Sequence, residues 1–255
     1  MTSRSTAAAL VAAAFLGTST PVTAQRAPAA ASPRLPADVL GLICAPQVAI
    51  EAPPTPLRII TGQDSFVRRI HAPGDLVTIN AGSQNGIEVG QQYFVRRLQV
   101  SSRERVSAAT PGTVHTAGWI TVYAVDEEMS LATINHACDT VEIGDYLEAF
   151  ALPSVPQAVV SRGKPERDRY ARVMPGTDRR RVFGKGDYVI VNRGSREGVA
   201  AGARFVFYRD KRQPGSFLYE IGEATVVDVK DGTATLQVTL SRDAIHEGDY
   251  AAQRK

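Results

Sequence analysis

Apolar residues along this chain come in short runs that alternate with polar positions and stop at Gly, Pro, Asn or Asp. No stripe at i, i+3, i+4, i+7 stands out, so the period is that of strands and not of helices. Val77 and Ile79 alternate with polar or edge-facing neighbours, as do Val189 and Val191. Ile120, Val122 and Ala124 predict one face of a later strand, and Val227 and Val229 its counterpart downstream. Ala132 and Ile134, then Leu236, Val238 and Leu240, predict the strand after it. Only Ala37 to Cys44 reads as a helical turn.

The pattern occurs twice. Gly74-Asp75-Leu76-Val77-Thr78-Ile79-Asn80 aligns with Gly186-Asp187-Tyr188-Val189-Ile190-Val191-Asn192. Gly82, Ser83, Gly86 and Gly90 then match Gly194, Ser195, Gly198 and Gly202 without a gap, and Arg97 meets Arg209. Gly118 to Val125 matches Gly222 to Val229, and Gly144-Asp145-Tyr146 matches Gly248-Asp249-Tyr250. Each copy reads as about six strands. The expectation is an all-β chain of two tandem small β-barrel or barrel-like sandwich domains, because closure removes raw sheet edges from so small a unit. Their expected bounds are 66–150 and 178–255, with a Pro/Arg-rich linker over 151–177 and a flexible Ala/Pro-rich segment over 25–65.

The repeated Asn-x-Gly-Ser-x-x-Gly motif resembles half of a phosphate loop. A P-loop, however, needs Lys followed by Ser or Thr, and then a helix. Here another strand follows. Gly82, Gly86, Gly90, Gly194, Gly198 and Gly202 therefore read as turn glycines giving positive φ or close backbone approach. Asn80, Ser83, Asn192 and Ser195 read as side chains that bond backbone groups. Ile87 and Val199 point back to the cores. The four Gly-Asp pairs read the same way, since none has the dense oxygen ligands of a calcium site.

Composition changes the picture at the N-terminus. Arg4, the apolar run from Ala7 to Gly17 and Val22-Thr23-Ala24 predict a secretory signal peptide over 1–24, cut near Ala24. No later segment reaches the roughly 20 apolar residues of a membrane span. The expected location is the periplasm or the exterior. The two cysteines, Cys44 and Cys138, then predict a disulfide. No metal-ligand spacing is recognised around either one. The formal net charge is +3, and the basic residues concentrate between Arg162 and Arg181, with Lys164 and seven arginines including Arg167, Arg169 and Arg172. Export argues against nucleic acid as the partner, which leaves envelope proteins, or peptidoglycan and other anionic envelope polymer.

Nothing predicts catalysis, a metal or a cofactor. His71, His115, His136 and His246 sit at no metal spacing, and no nucleophile elbow is present. The differences between the copies mark the candidates for recognition. The first copy carries Trp119 where the second has Glu223, and a longer loop over 98–116 with Arg103 and Arg105. A possible interaction surface is thus Trp119, Arg103, Arg105 and the basic join.

The stretches "GDYVIVNRGSREGVAAGARFVFYRD", "PGSFLYEIGEATVVDV" and "AIHEGDY" resemble the C-terminal domain of the flagellar assembly protein T family. The resemblance covers the second copy well and the first more loosely. It implies a periplasmic β module used in assembly or binding. Similar Gly-rich repeats also resemble the paired β domains of cell-shape protein C. The leading expectation is a non-catalytic exported scaffold or assembly factor working through protein contacts. Two others stand beside it: a peptidoglycan- or carbohydrate-binding protein stacking sugars on Trp119 and Tyr123, and an enzyme with a site between the modules.

Overall fold

The computed structural model describes residues 35–49, 57–64, 66–100, 112–160, 163, 169–176, 180–210 and 217–255. The expected signal peptide, Arg103, Arg105, Arg162, Lys164 and Arg167 lie outside them. The described chain is mostly β. One helix, α1 (Ala37–Cys44), precedes β1 (Gln47–Ala49), β2 (Ile59–Gly62), β3 (Ile70–His71), β4 (Leu76–Ile79), β5 (Gln92–Gln99), β6 (Gly112–Val125), β7 (Ser130–Ala137), β8 (Val141–Glu142) and β9 (Tyr146–Ala149). The second copy holds β10 (Ala171–Arg172), β11 (Val182–Phe183), β12 (Tyr188–Val191), β13 (Arg204–Asp210), β14 (Leu218–Val229), β15 (Ala234–Ser241), β16 (Ile245–His246) and β17 (Tyr250–Gln253).

The two sheets have the same topology. In the first the order is β2-β4-β7-β6-β5-β9, and in the second β10-β17-β13-β14-β15-β12. Both are antiparallel, and both return on themselves. Arg58 bridges Tyr146, and Ile59 N–H donates to the Asp145 carbonyl at 3.0 Å. Val173 bridges Val191, and its N–H donates to the Asp249 carbonyl at 3.0 Å. Each ring of six strands is closed by its own first segment. Closure satisfies edge groups that a sheet this small would otherwise present to solvent. A two-stranded ribbon, β3 with β8 and β11 with β16, accompanies each ring.

The closing segments lie upstream of the expected boundaries. Residues 59–62 belong to the first sheet and 171–173 to the second, so 25–65 and 151–177 are not simply lead and linker. The periodicity did not reveal them because each pairs with its own barrel for only a few residues. The linker also lies back on the second barrel. Val159 N–H donates to the Gly202 carbonyl at 2.8 Å, and Gly163 N–H to the Lys255 carbonyl at 2.7 Å.

The cores follow the alternation, with one correction. Val77, Ile79, Ile120, Val122, Ala132 and Ile134 line the first barrel, and Val189, Val191, Val226, Leu236 and Val238 the second. Ala124 and Val227 are not among them, and Leu240 is exposed. Register shifts between Val122 and Ala124, between Glu223 and Ala224, and between Val226 and Asp228 are the reason. A bulge adds one residue to one strand and reverses the facing of everything beyond it. Pairing of Gln99 with Thr113 likewise makes both ends of the expected 98–116 loop strand.

One core position differs chemically between the copies. His71 and Phe183 occupy the same place, each against a glycine. A Cβ on Gly62 would lie 2.4 Å from the His71 ring, and one on Gly176 would lie 2.9 Å from that of Phe183. His71 is 1% exposed, and neither ring nitrogen has a hydrogen-bond partner among the described residues. Buried unsatisfied polar groups cost stability, so His71→Phe, which copies the second barrel, is expected to stabilise the first by about 1–3 kcal/mol. Urea unfolding measures the gain. The reciprocal Phe183→His is expected to lower the midpoint, and a loss in His71→Phe would show that the histidine does more than fill space.

Candidate functional site: the disulfide cluster under the first helix

The repeated turn motif closes the barrels. Asn80 and Asn192 each accept, through Oδ1, the backbone N–H of the first strand's arginine, Arg58 or Arg172, at 2.6 Å. Those arginines donate from Nη1 to the carbonyls of Gly144 and Gly248 at 3.1 and 2.8 Å. Gly82 and Gly194 sit where a Cβ would lie 2.2 and 2.0 Å from the carbonyl oxygens of Asp126 and Lys230. Ser83 and Ser195 donate their backbone N–H to those same carbonyls. Gly86, Gly90, Gly198 and Gly202 all have positive φ. Ile87 and Val199 are buried in their cores. Asn80 and Asn192 thus bond backbone groups through their side chains, whereas Ser83 and Ser195 take part through their backbone N–H.

The Gly-Asp pairs carry more than turn chemistry. Each aspartate accepts the backbone N–H three residues before it: Asp75 from Ala72, Asp145 from Glu142, Asp187 from Gly184 and Asp249 from His246. Each also takes an arginine. Arg97 grips Asp145 through Nε at 2.7 Å and Nη2 at 2.9 Å, and Arg209 grips Asp249 at 3.0 and 2.6 Å. Hydrogen bonding to these carboxylates pushes both guanidinium pKa values up. Arg68 and Arg180 reach Asp75 and Asp187 at 3.3 and 2.7 Å. Paired Arg and Asp at matching positions of the repeat are the sequence signal for this network.

Among the described residues of the basic join, Arg172, Arg180 and Arg181 are engaged within the fold. Arg172 lies 3.5 Å over the Tyr250 ring, Arg180 pairs with Asp187, and Arg181 with Glu247. The Arg169 carbonyl accepts from Arg193. Arg172, expected as a recognition cation, is thus a barrel-closing residue.

Trp119 also departs from expectation. It is 8% exposed. Ile43 packs on it together with Phe94 and Phe150, and Leu40, Val39 and Leu35 pack on the same cluster. An eight-residue helix is marginal alone, and α1 has no side-chain cap. Its apolar face and the Cys44–Cys138 disulfide, with a Cα separation of 5.5 Å, hold it on the barrel. Trp119 is therefore a docking residue for the chain's own helix and not a sugar-stacking platform. Tyr123 is exposed.

Around this disulfide the first barrel gathers side chains that the second lacks. A register shift between Trp119 and Ile120 brings Trp119 opposite His136, and the rings stack with centroids 4.6 Å apart at 24°. Gly118 permits the approach, since a Cβ there would lie 2.1 Å from the His136 carbonyl. Cys138, two residues beyond His136, reaches Cys44. Ligand atoms of Cys44, His136 and Cys138 all lie within 4.8 Å of one another. Sequence spacing did not reveal this, because Cys44 lies 94 residues from Cys138 in the chain. Nearby, His115 Nε2 is 3.1 Å from Asp139, and buried Arg96 is 2.9 Å from Glu148. In the second barrel the matching positions hold Glu223, Leu240 and Arg242, and Glu223 is clamped by Arg204 and Arg254 at 2.6 and 3.2 Å.

The N-terminal segment touches both barrels. β1 pairs with β6, and the Pro46 carbonyl accepts from Thr235 Oγ1 at 3.0 Å. Tyr188 of the second barrel meets α1 at Gly41, where a Cβ would lie 2.4 Å from its hydroxyl. Burial, and then the charge of Asp38, push the Tyr188 pKa up.

No protein-family model matches the chain, and no curated protein matches it. Among the described residues no helix is long and apolar enough to cross a membrane.

Proposed function

We propose that the chain is a non-catalytic, exported scaffold or assembly factor of the cell envelope, acting through protein–protein contacts. The observation that carries this reading is the clasp at the N-terminus. Helix α1 is bonded covalently to the first barrel and, with the residues after it, contacts the second. A segment that contacts both barrels in this way links two binding modules, as an adaptor does. The disulfide fits an oxidising compartment. Phe66 and Val67, at the tip of the loop after β2, are almost fully exposed and offer an apolar contact to a protein partner. The resemblance to flagellar assembly protein T in the sequence favours the same class of role.

Crosslinking in intact cells, followed by mass spectrometry, tests this. A discrete envelope protein is expected with the native chain and is expected to disappear with Phe66→Asp combined with Val67→Asp. The released chain is expected to begin at Gln25. Crosslinks to peptidoglycan alone, or a chain retained in the cytoplasm, would overturn the reading.

A further inference from the structure

The geometry points to a redox-gated site for a soft metal cation, formed by the Cys44 and Cys138 thiolates and the His136 imidazole once the disulfide is reduced. The three donor atoms already lie within 4.8 Å of one another. Two sulfurs at zinc-binding distance on a tetrahedral ion sit about 3.8 Å apart, a separation the same pair reaches by opening from the bonded state. The mixed thiolate and imidazole set suits Zn²⁺ or Cu⁺. All three residues are half-buried, so a cation can enter and yet be partly shielded from water.

The second barrel supplies the reason to separate these residues from the needs of the fold. It closes in the same topology with Leu240 and Arg242 where the first has His136 and Cys138. A barrel of this kind needs neither a thiol nor an imidazole there. The disulfide explains the cysteines but not the histidine beside them. Trp119 stacks on the His136 ring and restricts its orientation, as a supporting residue does for a metal ligand.

The chemistry balances with a dithiol reductant. Thiol–disulfide exchange transfers two electrons and two protons to the Cys44–Cys138 bond, and the reductant leaves as its own disulfide. The cation then displaces the two thiol protons, so binding is tighter at higher pH. Bound metal would replace the covalent link and keep α1 on the barrel.

The test uses the full mature chain, reduced with a dithiol, freed of it without oxygen, and titrated with Co²⁺. One equivalent is expected to bind, with thiolate-to-cobalt charge-transfer absorption and quenching of Trp119, the single tryptophan. Zn²⁺ is expected to displace it. Cys138→Ser should abolish the band. His136→Gln should weaken binding about tenfold or more, since loss of a merely supporting group already has that scale. The disulfide of oxidised His136→Gln and its circular dichroism confirm that this variant folds. No charge-transfer band in the reduced native chain would overturn the proposal, as would equal affinity in His136→Gln.

Discussion

Cys138→Ser is expected to lower the stability of the first barrel by roughly 4–5 kcal/mol, on the chain-entropy cost of a loop of this length. The bond joins residues 94 apart. It also fastens a helix too short to persist alone, so its loss frees α1 and uncovers Trp119, Phe94 and Phe150. Tryptophan emission follows this directly, because Trp119 is the only tryptophan and lies in the first barrel. The native chain should unfold at higher urea than Cys138→Ser or Cys44→Ser, and the variants should emit further to the red before unfolding. Equal midpoints and unchanged emission would mean that the apolar face of α1 holds it without the bond.

Asp145→Ala is expected to cost about 3 kcal/mol, the upper end of the cost of leaving a buried donor without its charged acceptor. Its side chain is 2% exposed and accepts from Arg97 Nε, Arg97 Nη2 and the Glu142 N–H. Truncation removes two contacts from a partly buried guanidinium, which keeps Glu142 and the Thr140 carbonyl, and leaves a turn N–H without its acceptor. Asp145→Asn retains an acceptor for that N–H and should lose less. Asp249→Ala removes the equivalent group from the second barrel, where Arg209 is the partner. Tryptophan emission should therefore report an earlier transition for Asp145→Ala, and circular dichroism a separate early step for Asp249→Ala. If Asp145→Ala unfolds with the native chain, the pair contributes nothing to holding the ring.

The duplication made much of the fold legible. Two copies sharing Gly82, Gly86 and Gly90 with Gly194, Gly198 and Gly202 mark backbone positions, because only backbone geometry is indifferent to the residues between. The cores were legible wherever alternation ran unbroken, as at Val77 and Ile79. It failed at Val227 and Leu240, where bulges shift the facing. The candidate site was less legible. Cys44 and Cys138 were paired from composition and compartment, whereas His136 had no signal of its own. Trp119 looked like a recognition residue because the second copy lacks it, but the same difference arises when one copy docks a helix and the other does not.

The sequence by itself determined the β class, the two-fold repeat, the turns and the cysteine pair. These depend on local backbone preference, on a period of two and on the count of thiols, all of which are written along the chain. Tertiary structure alone decided that Arg58 and Arg172 close the rings, that α1 covers Trp119, and that His136 stands beside the disulfide. These depend on residues far apart in the chain meeting across a closed barrel, and the position of each is set by bulges and strand register that no local pattern encodes.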